Sequence, residues 1–149
     1  MDLILWRHAE AEDGTPDSAR ELTKRGRKHA TQAAAWLKKR LPANCHILVS
    51  PSRRTLQTAE ALGLPYESTT KVGTGATPAQ ILAAAGWPGR EGTVLVVGHQ
   101  PTLGSVAALI LCGEEADWTI KKGALWWLSC RTSHGGDIVL RAVVGPDLI

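Results

Sequence analysis

Thr93-Val94-Leu95-Val96-Val97-Gly98-His99-Gln100-Pro101 is the stretch on which the reading of the fold turns. Its first five residues are rich in β-branched side chains and show no polar alternation, the pattern of a strand buried on both faces. Gly98-His99 ends the run. From Pro101 onward Leu103, Val106, Ala107, Ile110 and Leu111 recur on one side of a helix, with Gly113 just past its end. A buried strand leading straight into a helix is one half of a β–α–β unit, and such units build parallel sheets.

Working outward, the same design recurs twice. Leu3 to Trp6 is apolar on both faces and predicts an interior strand, followed at once by Arg7-His8. His46 to Val49 predicts a second short strand, ended by Ser50-Pro51. That pair should open a helix with Pro51 in its first turn, running to about Leu62, where Gly63 and Pro65 stop it. Between these units, the polar stretch from Ala9 to Arg20, with Gly14 and Pro16, reads as a loop. Thr23 has the character of an N-cap, and Ala30, Ala33, Ala34, Leu37 and Leu41 follow it at helical spacing until Pro42. Tyr66 to Thr70 can form a short strand. Thr77-Pro78-Ala79-Gln80 is a capping-box pattern ahead of Ile81, Leu82 and Ala85, and Gly86-Trp87-Pro88-Gly89 is a turn. Ala124 to Cys130 and Ile138 to Val144 read as two strands joined across Ser133–Asp137, able to add antiparallel pairing. No repeat or linker interrupts the chain. The expectation is a single domain over residues 1–149, an α/β three-layer sandwich (α/β/α) with a mostly parallel central sheet.

Bulk composition bounds the partners. The 149 residues are 44% hydrophobic and 21% charged, as a chain with a real core should be. With no Phe and one Tyr, the six Trp supply most of the aromatic volume. A net charge of +3 is too weak to argue for nucleic acid and suits the steering of an anionic substrate. Cys45, Cys112 and Cys130 are odd in number and widely spaced, the usage of reduced thiols. The apolar run before Arg7 is too short for a signal peptide or a membrane span. These features lead to the expectation of a soluble, cytoplasmic protein with no membrane and no nucleic-acid partner.

The chemistry concentrates where strands end. Arg7-His8 follows the first strand, Arg54 falls in the first helical turn after the second, and His99 follows the Thr93–Val97 strand. Ligands of open α/β sheets bind beyond the carboxyl ends of the strands, where helix N-termini also favour anions. A phosphoryl group in transfer spreads negative charge over three oxygens, so its catalysis is mainly positioning and electrostatic stabilisation. Two arginines can supply fork-like donors that stay charged. A protonated histidine can add another donor, and a neutral histidine can attack phosphorus to form a covalent phosphohistidine. This scheme requires no metal or other cofactor. No clustered carboxylates suit Mg²⁺, and a zinc site on His8 and His99 lacks a third ligand in register.

At these residues the chain resembles a known family. Arg7-His8-Ala9 at the end of a first strand looks like the signature of the histidine phosphatase superfamily, the phosphoglycerate-mutase-like fold. Ser50-Pro51-Ser52-Arg53-Arg54-Thr55-Leu56-Gln57-Thr58 resembles its second motif, Val97-Gly98-His99 its third, and Leu22-Thr23-Lys24-Arg25-Gly26 the usual start of its first helix. Short length, Arg-His-Ala and Gly98-His99-Gln100-Pro101 together are similar to the SixA-type phosphohistidine phosphatase branch. The resemblance spans nearly the whole chain in the right order. It implies catalytic roles for His8, His99, Arg7 and Arg54: His8 as nucleophile, with Arg7, Arg54 and His99 binding phosphate.

One departure from that family bears on the substrate. Larger members carry an acid after the third strand that protonates the leaving group, and here Lys71 to Pro78 holds no carboxylate. An alkoxide needs such a proton, worth roughly 10²–10⁴-fold in rate, while an imidazole leaving a P–N bond needs less help. The expected substrate is therefore a histidine-phosphorylated protein. A general phosphomonoesterase acting on a small phosphorylated substrate and a non-catalytic phosphate-binding module are the alternatives. Glu10, Glu12 or Asp13, just beyond His8, is the place for a substitute acid. Arg53 competes with Arg54 for the phosphate role. His29, His46 and His134 read as structural. Lys24-Arg25-Gly26-Arg27-Lys28 and Lys38-Lys39-Arg40 read as the wet face of a helix, or as a docking surface for an acidic protein. Trp126-Trp127 reads as core plus one exposed ring or partner contact.

Overall fold

The computed structural model describes residues 1–149. In chain order the strands are β1 (Asp2–Arg7), β2 (His46–Val49), β3 (Glu67–Ser68), β4 (Thr93–Gly98), β5 (Leu125–Cys130) and β6 (Ile138–Val144). The helices are α1 (Lys24–Lys38), α2 (Arg53–Glu60), α3 (Pro78–Ala85) and α4 (Thr102–Cys112). All six strands form one sheet in the order β3-β2-β4-β1-β5-β6. The first four of that order are parallel, and β5 and β6 close the sheet with antiparallel pairing.

Alternation along the central strands divides the core into two layers. Leu3, Ile4, Leu5 and Trp6 are all fully buried, each side chain contributing roughly 1.5–3 kcal/mol on removal from water. Leu3 and Leu5 pack with Val94, Val96 and Leu103 on the face covered by α3 and α4. Ile4 and Trp6 pack with Leu95, Val97, Ala33 and Leu37 on the face covered by α1 and α2. The sheet is thus sandwiched between two helical layers, the α/β arrangement the strand–helix alternation implied.

Local signals act as read in most places. Thr23 accepts from the Gly26 amide, and Thr77 and Gln80 make a reciprocal capping box at α3. The start of α2 differs. Pro51 lies outside the helix, and Ser52 is the N-cap. Thr55 explains the shift: its hydroxyl lies 2.7 Å from the Ser50 carbonyl oxygen and 2.8 Å from that of Ser52. These contacts fold Ser50-Pro51-Ser52 into a turn ahead of the first helical residue. Neither ring of Trp126-Trp127 stands free. Trp127 is in the core against Trp36, and Trp126 packs on Trp118 with ring centroids 6.1 Å apart.

Two glycines allow segments to meet near the carboxyl rim of the sheet. A Cβ on Gly26 would collide with the Glu10 carbonyl oxygen, and one on Gly104 with the Trp118 carbonyl oxygen. Gln100 clasps the second contact, donating to Trp118 O at 2.9 Å and accepting from Gly104 N at 2.7 Å. Because β5 runs against β1, its turn into β6, Arg131–Asp137, lies at the opposite rim, beside Met1 and Asp2. No helix is long and apolar enough to cross a membrane.

Candidate active site

Strand register assembles the site. β2, β4 and β1 are adjacent and parallel, with Arg7 opposite Gly98 and Val49 opposite Val97. Pairing continues one step further, since His8 N donates to Gly98 O (3.1 Å) and Ser50 N to Val97 O (3.1 Å). His8, His99 and Ser50 therefore stand together where their strands end. Arg54 reaches them from the first turn of α2. His8, Ser50, Arg54 and His99 are all buried, and the two imidazole centroids are 5.4 Å apart.

Arg54 is the hub. Its Nε donates to His8 Nε2 at 3.4 Å, and its Nη2 lies 3.3 Å from His99 Nδ1. Its Nη1 donates to the Asp17 carbonyl oxygen at 2.9 Å, and its Nη2 reaches Asp17 Oδ2 at 3.1 Å. Arg53 faces outward to Glu21, so the choice between the two arginines resolves geometrically.

Donor and acceptor chemistry sets both imidazole tautomers. His8 Nδ1 lies 2.8 Å from the Ala9 carbonyl oxygen, which can only accept, so Nδ1 carries the proton. That leaves a lone pair on His8 Nε2, inside the pocket. Arg54 can only donate, so His99 Nδ1 is the acceptor and His99 Nε2–H donates to Ser50 Oγ at 2.7 Å. His99 Nδ1 accepts from Arg54 in this geometry, and the donor role expected of a protonated histidine needs a further proton on that nitrogen. Burial, reinforced by Arg54, pushes His99 down to about 4. Burial is also the leading cause for His8, joined by His99, Arg54 and Arg7 and opposed by the Ala9 carbonyl, and brings it down to about 3.

These shifts carry a pH dependence with a definite sign. Both imidazoles protonate less readily in the folded chain than at their ordinary 6.5. The unfolded chain therefore binds more protons, and stability falls as pH drops below 6.5 towards those lowered values. Melting temperature is expected to decline between about pH 6.5 and about pH 4, and His99→Gln to flatten the decline. An unchanged slope in the variant would assign the effect to other groups.

Arg7 is half-buried. Its Nη1 donates to Ile120 O at 3.0 Å, while its Nε is buried without a partner. Its charge acts on both imidazoles. Of the three acids just beyond His8, Glu10 accepts through Oε1 from the Thr23 hydroxyl at 3.0 Å, and Glu12 and Asp13 are exposed. The carboxylate at the pocket is Asp17, held below the usual carboxylate range by Arg20 first and then Arg54. Sequence reading passed over Asp17 as part of a loop. The signal was the Asp17/Arg20 spacing, which forms an ion pair at 3.1 Å. Ser50, read only as a strand terminus, was missed as the partner of His99. No group of three or more His, Cys, Asp or Glu side chains is placed to share a metal ion.

Asp17 competes for the guanidinium that an oxyanion would use. Asp17→Asn is expected to lower the inhibition constant of inorganic phosphate roughly three- to tenfold, because it removes a like charge while keeping the carbonyl contact. A rise would show that Arg54 needs the carboxylate to hold its position.

With this geometry in view, the comparisons with known proteins are specific. The sequence profile of the histidine phosphatase superfamily (branch 1) matches residues 3–75. Phosphohistidine phosphatase SixA of Escherichia coli is 33% identical over 127 residues, 76% of either chain. An uncharacterized protein of Mycobacterium tuberculosis is 34% identical over 117 residues, 74% of this chain and 73% of its own. The solved structure of the protein histidine phosphatase SixA complexed with tungstate superposes with a TM-score of 0.85 at 26% identity, covering 99% of both chains.

Proposed function

Because the chain belongs to the histidine phosphatase superfamily and is a phosphatase of the SixA-like kind, we propose that its substrate is phosphohistidine on a protein and that His8 carries the phosphoryl group covalently. The observation that carries this reading is the tautomer of His8: Nδ1–H anchored on Ala9 O, and Nε2 presenting a lone pair beside Arg54 and His99.

In the first step His8 Nε2 forms a bond to phosphorus as the P–N bond to the substrate imidazole breaks. The electron pair of that bond stays on the leaving nitrogen, and the imidazole departs neutral because its other ring nitrogen carries a proton. Arg54 and Arg7 balance charge on the equatorial oxygens. A dianion in the pocket raises the proton affinity of His99, turning it from acceptor into donor. In the second step water forms a P–O bond, the P–Nε2 bond breaks, and inorganic phosphate leaves. A relative of this fold binds tungstate, a tetrahedral oxyanion of the shape this pocket would hold.

Leaving-group chemistry supports the P–N substrate. Asp17, the carboxylate at the pocket, is held ionised by two arginines and has no proton to give an alkoxide. The test is a panel in EDTA comparing a phosphohistidine peptide, phosphoramidate, p-nitrophenyl phosphate and an alkyl phosphate. The first two are expected to exceed the alkyl ester in kcat/KM by roughly 10²-fold or more, the usual worth of a positioned acid. Equal rates would favour a general phosphomonoesterase. Binding of phosphate without any turnover would favour a regulatory module.

A further inference from the structure

Beside Arg7 lies a cavity of about 360 Å³ whose lining is polar and charged apart from Pro146. Its cations come from three separate segments: Arg7 from the end of β1, Arg25 from the first turn of α1, and Lys121 and Lys122 from the loop before β5. Arg7 thus belongs to this cavity and to the cationic surroundings of His8 and His99. Three arginines near the site have carboxylate partners: Arg20 and Arg54 share Asp17, and Arg53 pairs with Glu21. Arg25, Lys121 and Lys122 have no carboxylate within ion-pair distance, so their convergence has no internal partner to explain it. Two acids share the walls. Glu10 accepts from the Thr23 hydroxyl, and with Asp147 the walls hold four Arg and Lys side chains against two carboxylates.

The lysine loop is also fixed relative to the nucleophile. Gly123 N donates to the His8 carbonyl oxygen (3.0 Å), Arg7 N to Ala124 O (3.0 Å) and Trp6 Nε1 to Gly123 O (3.0 Å). Ala124 N closes the turn on Lys121 O at 2.9 Å. Gly123 takes a left-handed φ of +74°, and a Cβ there would crowd Pro146. The cavity is therefore held by backbone bonds to the residue that would carry the phosphoryl group.

We propose that this cavity receives acidic side chains of the phosphorylated protein, so that the enzyme selects a phosphohistidine flanked by Asp or Glu. The inference rests on the phosphohistidine reading above and narrows its substrate class. It also divides the basic cluster at the start of α1: Arg25 serves the cavity, and Lys24, Arg27 and Lys28 are exposed, solvated charge.

The test uses three matched phosphohistidine peptides whose flanking residues are acidic, amide or lysine. Wild-type KM is expected to be roughly tenfold lower for the acidic than for the amide peptide, a gap that narrows as salt screens it. The charge reversal Lys121→Glu/Lys122→Glu should invert the order and favour the lysine peptide, a gain that misfolding cannot produce. The same order in both proteins would overturn the proposal. Binding of the three peptides to His8→Ala, read without turnover, separates the two claims. Charge-selective binding with no turnover by the wild type counts against the phosphatase reading alone. Turnover without charge selection counts against the cavity alone.

Discussion

Substitution of His8 by alanine is expected to reduce turnover of every substrate by roughly 10⁴-fold or more, because in the covalent scheme proposed above His8 is the phosphoryl acceptor. No neighbour can replace it. His99 Nδ1 is engaged by Arg54 and its Nε2 by Ser50, so the second imidazole has no free lone pair in the resting pocket. A mechanism in which water attacks the substrate directly predicts something different: His8→Ala would keep substantial activity, supported by the remaining arginines. Intact-mass measurement after an acid-free quench distinguishes the two. The wild type should show a labile adduct of about 80 Da, one phosphoryl group, and His8→Ala should show none. Near-normal turnover in the variant would end the covalent scheme.

The second large effect is expected at Arg54. One guanidinium touches His8 Nε2, His99 Nδ1 and both the carbonyl and the carboxylate of Asp17, so its loss removes the donors and the geometry together. Removing a preorganised donor to a developing anion costs roughly 10²–10³-fold in kcat, and Arg54→Ala should lose at least that much while also raising KM. Arg54→Lys should recover little, since an ammonium is a point charge on a flexible stem and cannot span three partners at fixed angles. Steady-state kinetics on p-nitrophenyl phosphate measures both variants. Activity within tenfold of wild type for Arg54→Ala would remove Arg54 from the mechanism.

What the sequence made legible follows from how each feature is encoded. β1, β2 and β4 are unbroken apolar runs, and runs of that kind have few alternative uses in a short chain. His8, Arg54 and His99 could be picked out because each follows such a run, and parallel neighbours bring their ends to one rim. Asp17 had no such marker. It lies in a polar stretch without periodicity, and only the fold brings that stretch over Arg54. Pro51 was misplaced because proline is favoured inside a first turn in general, whereas here the Thr55 hydroxyl closes a turn around it. The division of the basic cluster was equally hidden, since Arg25 is distinguished from its neighbours by facing Lys121 and Lys122, roughly a hundred residues away in sequence and close only in three dimensions.

The sheet has two rims with unequal duties. The carboxyl ends of β2, β4 and β1 hold every group assigned to chemistry, and the Arg131–Asp137 hairpin tip hangs from the other edge. That separation makes the tip a natural handle: a fluorophore or a fused peptide placed there would ride a full strand length from the His8 and His99 imidazoles. It also leaves the chain a region where new sequence can accumulate without being vetted by catalysis.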